Sequence, residues 1–144
     1  MLQCTAVTET PIDQAVVALI SLDAELLDDA YEYVTDLGFL LCQLGEHDET
    51  TEHTSHLWTA ETDPPQGLWF TWTGRGPHRI FRFETLTLCP AILYDFKEDR
   101  RSWCGLHDHH AGEHTFNVED PLRTLIHERA RREAHRRMSE GDTD

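Results

Sequence analysis

The first seventy residues contain fourteen Asp and Glu and not one Lys or Arg; the first basic residue is Arg75. Carboxylates with no cation nearby in sequence are costly to bury. Each helix in this half must therefore turn a charged face to water and an apolar stripe inward. From residue 71 onward thirteen acids meet twelve bases, so the second half is nearly neutral. The formal charge is −15, and Lys97 is the single lysine. Many acids, almost no lysine and plentiful Thr, His and Arg fit the salt-rich cytoplasm of a halophile, where screening weakens self-repulsion. The acidic half also offers a surface for a protein partner.

A chain of 144 residues, 39% of them hydrophobic, suits one domain, read here as 1–138 with a polar tail at 139–144. No apolar run approaches the roughly 20 residues that cross a bilayer, and no export signal opens the chain, so a cytoplasmic protein is expected. Cys4, Cys42, Cys89 and Cys104 are widely spaced with no Cys-x-x-Cys pair. They read as free thiols, with Cys42 and Cys89 as small core residues. No internal repeat is visible.

The segment Thr10-Pro11-Ile12-Asp13 reads as a helix start, followed by an apolar stripe on Ile12, Ala15, Val16, Leu19 and Ile20. A second helix is expected from near Asp23, with Leu26, Leu27, Ala30, Val34 and Leu37 inward and Gly38 as its stop. Phe39 to Leu44 fits a helix continuation or a short buried strand. Strands are expected at 56–62, 68–73, 79–88 and 92–96, with 102–110 closing a hairpin across the charged loop 97–101. Asp120-Pro121 then opens an amphipathic helix with the stripe Leu122, Leu125, Ile126, Ala130, Ala134 and Met138 facing the core. The fold class is α+β: two N-terminal helices, an antiparallel meander of about five strands, and a C-terminal helix.

The densest chemistry lies in Cys104-x-x-His107-x-His109-His110-x-x-x-His114, with Asp108 and Glu113 among them. On a strand, His107 and His109 share one face with Trp103, whereas Cys104, Asp108 and His110 point the other way. Two imidazoles at i and i+2 can divide acid and base work on a phosphodiester, with Arg101 or Arg79 near the phosphate. Alternatively, His107, His109, Glu113 and His114 can ligate a divalent metal such as Zn, Mn, Fe or Ni. The His-x-His-x-x-x-Glu spacing resembles the first cupin motif, but the flanking glycines and the second motif are missing. Ordinary surface histidines satisfied by water remain the third reading.

The order Tyr94-Asp95, hairpin, His107-x-His109, Gly112, Phe116 and Glu119-Asp120-Pro121-Leu122 resembles the C-terminal half of TumE-type toxins of toxin–antitoxin modules, over about residues 92–126. Phe96 stands where that family usually has asparagine. The resemblance implies a small toxin acting on RNA and neutralised by an antitoxin partner, with His107, His109, His110 and Asp95 as the catalytic set. The non-enzymatic alternatives are a protein-binding module, viral or regulatory, working through the acidic half, and a His-ligated metal domain. The C-terminal helix carries six arginines, but interleaved glutamates and a core-facing stripe argue for an ordinary solvated helix, and DNA is not an expected ligand. Trp58, Trp69, Phe70 and Trp72 read as sheet core.

Overall fold

The computed structural model describes residues 1–141. The architecture is α+β, with three helices and antiparallel strands in three small sheets. Strand β1 (Val7–Glu9) leads to helix α1 (Ile12–Leu22), a single 3-10 turn at Ala24–Leu26, and helix α2 (Ala30–Leu37). Strand β2 (Phe39–Leu41) returns to pair with β1. The central meander is β3 (His53–Ala60), β4 (Gln66–Thr73) and β5 (Ile80–Thr87). A hairpin of β6 (Ile92–Asp95) and β7 (Arg100–Trp103) follows, and then α3 (Pro121–Gly141).

The expected apolar stripes are buried at their centres but not at every member: Ile12 at the start of the first is 37% exposed, and Leu27, expected inward in the second, is 64% exposed because it lies in the turn before α2. Ala15 and Leu19 of α1, and Ala30 and Val34 of α2, are fully buried. The second helix is broken where one continuous helix was expected. Asp23 caps the 3-10 turn by accepting from the Glu25 N–H, and α2 begins only at Ala30. Gly38 stops α2 at φ 62°, a left-handed conformation that glycine adopts without Cβ strain. Phe39 onward is then a strand.

Strand β4 is the middle of the meander and is buried along nearly its whole length. Trp69, Phe70 and Trp72 are its largest buried side chains, and Phe70 packs against Phe81 and Phe83 of β5. Burial on both faces explains why this run lacks the alternation of a half-exposed strand. α1 lies against β4 and β5. Trp58, by contrast, is half-buried and meets Tyr33 of α2 edge-on.

Three further expectations need correction. The single meander of about five strands is seven strands in three sheets, because β1–β2 and β6–β7 form separate two-stranded ribbons. The second strand of the last hairpin does not run from 102 to 110: it ends at Trp103, and the chain turns through residues 104–114. The stripe of α3 also does not enter the core, since Leu125, Ile126, Ala130, Ala134 and Met138 are all exposed. The Leu122 side chain and residues 142–144 of the expected tail lie outside the described residues. No helix among the described residues is long and apolar enough to cross a membrane.

Candidate metal centres

Cys4 enters β1 and Cys42 leaves β2, so pairing of these two strands brings both thiols to one end of the ribbon. Two backbone hydrogen bonds fix them there. The Cys4 N–H donates to the Leu44 carbonyl at 2.9 Å, and the Cys42 N–H donates to the Ala6 carbonyl at 3.0 Å. His47, on the loop that follows, and His53, the first residue of β3, complete a cluster. Cys4 Sγ lies 3.6 Å from His53 Nδ1, Cys42 Sγ lies 3.5 Å from His47 Nε2, and the two ring nitrogens are 3.2 Å apart.

The same construction recurs in the second half. Cys89 enters β6 and Cys104 leaves β7. The Cys89 N–H donates to the Leu106 carbonyl at 2.8 Å, and the Cys104 N–H donates to the Ala91 carbonyl at 3.1 Å. Cys89 Sγ lies 3.5 Å from His114 Nδ1, Cys104 Sγ lies 3.4 Å from His110 Nε2, and those nitrogens are 3.1 Å apart. In each cluster the four donor atoms lie within 4.8 Å of one another.

The correspondence extends to register. Val7 pairs with Leu41 as Ile92 pairs with Trp103, and the bridge Gln3–Gly45 matches the bridge Leu88–His107. Counted from the cysteines, every one of these pairs is equivalent. The chain therefore contains a structural duplication. Sequence inspection misses it because residues 10–38, with two helices, join the first pair of strands, whereas residues 96–99 suffice for the second. The legible traces are Cys-x-Ala, at Cys4-Thr5-Ala6 and Cys89-Pro90-Ala91, and Cys-x-Leu followed by histidines, at Cys42-Gln43-Leu44 and Cys104-Gly105-Leu106.

These separations fit a tetrahedral ion. With Zn–S near 2.3 Å and Zn–N near 2.0 Å, tetrahedral geometry sets S···N at about 3.5 Å and N···N at about 3.3 Å. Either cluster could hold a metal ion. The first histidine of each pair is oriented by its other nitrogen: His47 Nδ1–H donates to the Asp48 carbonyl, and His110 Nδ1–H to the Ala111 carbonyl. Such a bond fixes the tautomer that leaves Nε2 free for a ligand. The second histidine packs against an aromatic ring, His53 on Trp72 and His114 on Phe116. Burial lowers the His53 pKa, favouring the neutral ring that coordinates metal. Burial also pushes the Cys42 thiol up to about 11 and raises that of Cys89, so without a metal both are protonated at neutral pH. Cys42 and Cys89 are indeed buried, as expected of core residues, but their sulfurs face histidines.

The expected site residues divide. His110 and His114 meet in the second cluster; His107 borders it, its ring edge-on to His110 at 6.3 Å, without being one of its donors, and His109 stands apart. His107 is half-buried and sits edge-on to Trp69, its Nδ1–H donating to the Asp108 carbonyl. His109 has φ 61° in the turn, and its side chain is 93% exposed beside Asp108. Glu113 accepts from Asn117 Nδ2, and Asp95 accepts from the Lys97 and Glu98 N–H groups at the tip of the β6–β7 hairpin. Arg101 lies over the Tyr94 ring, and Arg79 donates to Thr8 Oγ1 and the Glu9 carbonyl. No known protein family, curated protein or solved structure significantly matches this chain.

Proposed function

We propose that the protein is a two-zinc structural module that acts by binding a partner rather than by catalysis. The observation that carries this reading is the repeated donor set: two thiols, one Nε2 and one Nδ1, held twice by the same backbone bonds. Four protein ligands close the coordination sphere, and a closed Cys2His2 site is structural, whereas a catalytic site keeps a position for water or substrate. Paired thiolates favour zinc over manganese or nickel, which suit harder or differently arranged donors. The metal reading at His107, His109, Glu113 and His114 gives way to these two sets, of which only His114 was among the expected ligands. A toxin-like ribonuclease would need His107 and His109 to act on one phosphodiester, and their separate surroundings favour the scaffold.

The test is metal content. Protein purified without added chelator and measured by plasma mass spectrometry is expected to hold two zinc ions per chain. Cys42→Ser and Cys104→Ser should each hold one. Less than half an equivalent in the unaltered protein after zinc reconstitution would reject the proposal.

A further inference from the structure

Helix α3 has 21 residues, a length of about 31 Å, and its described side chains are exposed throughout. It nevertheless carries an apolar row at i+4 spacing: Ile126, Ala130, Ala134 and Met138. Arg129, Glu133 and Arg137 border that row on one side, with Glu133 paired to Arg137 at 3.5 Å, and Arg131 borders it on the other. Over 121–141 six arginines stand against three glutamates, while residues 1–120 hold twenty-two acids and six bases. Helix α3 thus carries a net positive charge on an acidic body.

A complementary surface lies at the other end of the chain. Leu27 and Tyr31, at i and i+4 across the start of α2, are 64% and 63% exposed. Asp28, Glu32 and Asp36 form the adjacent row, also exposed. The α2 face is an apolar strip beside carboxylates, and the α3 face is an apolar strip beside guanidinium groups. Both are open, so neither covers the other within one chain.

We propose that α3 of one copy packs on the α2 face of a second copy, and reciprocally, in a two-fold dimer built by exchanged helices. Two α3 helices pairing with each other would set arginine against arginine. A nucleic acid would meet the acidic body together with the helix. A second copy supplies both the acids and the apolar strip that α3 lacks. A two-fold arrangement supplies the helix contact twice and closes the symmetry. The inference does not depend on which metal the clusters take.

Light scattering coupled to size exclusion, on the full zinc-loaded chain, should give the dimer mass. Arg129→Glu/Arg131→Glu/Arg137→Glu should give monomers, as should Asp28→Arg/Glu32→Arg/Asp36→Arg, and mixing the two should restore the dimer. Should the α2 variant fail to retain zinc, Ile126→Glu/Met138→Glu in the exposed helix decides in its place, with a monomer expected. A monomeric parent chain, a dimer that survives the α3 substitutions, or folded reversed variants that do not recombine would each overturn the proposal. A monomeric parent that instead retards a duplex DNA or RNA probe would do so too, in favour of nucleic acid.

Discussion

Within four residues the chain places His107, His109 and His110, and the backbone gives each ring a different setting. His110 turns inward to Cys104 and His114 because the chain leaves β7 at Trp103 and reverses through a turn that holds His109 at positive φ. A strand through this segment would have put His107 and His109 on one face, a shared face that the turn after Trp103 does not provide. Substitutions should separate the neighbours sharply. His110→Ala is expected to lose one of two zinc ions and roughly 3 kcal/mol or more of stability, since a ligand is removed from a closed site. His109→Asn keeps a residue that tolerates left-handed φ, and should keep both ions and lie within about 0.5 kcal/mol of the parent. Metal analysis and urea denaturation of the two variants check this; equal zinc in both would contradict the assignment of His110.

Among the elements, α1 and its stripe were readable because Ala15 and Leu19 recur at the helical period on a chain whose acids must face water. The stop at Gly38 was readable too. At that position Gly38→Ala is expected to cost about 1–2 kcal/mol through left-handed strain, seen as a lower urea midpoint, with two zinc ions retained. An unchanged midpoint would show that the helix can end without that conformation. The two cysteine–histidine clusters were not readable as sets, because their members come from segments as far apart as Cys4 and His53, and no short-range spacing marks such a pairing. Periodicity also identified the row on α3 correctly but misplaced it: a stripe records which residues share a face, not what covers them.

On the scale of the molecule, two marginal ribbons flank a central three-stranded sheet. A two-stranded ribbon is barely stable alone, and a Cys2His2 ion at the end of each would tie it to its neighbours. The first cluster joins β1, β2 and β3 through Cys4, Cys42 and His53, and the second joins β6, β7 and the loop before α3. The two halves also meet directly: Glu119 N–H donates to the Met1 carbonyl and Gln3 N–H to the Glu119 carbonyl, each at 2.7 Å. Stripping zinc with a strong chelator should therefore remove several kcal/mol, lowering the melting temperature by about 10 °C or more, and added zinc should restore it. A melting curve indifferent to the chelator would mean that the ribbons stand without metal.

X-ray absorption at the zinc edge of the loaded protein addresses the donor sets themselves. The expected first shell is two sulfurs at about 2.3 Å and two nitrogens at about 2.0 Å for each ion, reduced in zinc number but not in ligand type by Cys104→Ser. A shell of nitrogen and oxygen alone, with no sulfur, would contradict the two thiol–imidazole centres.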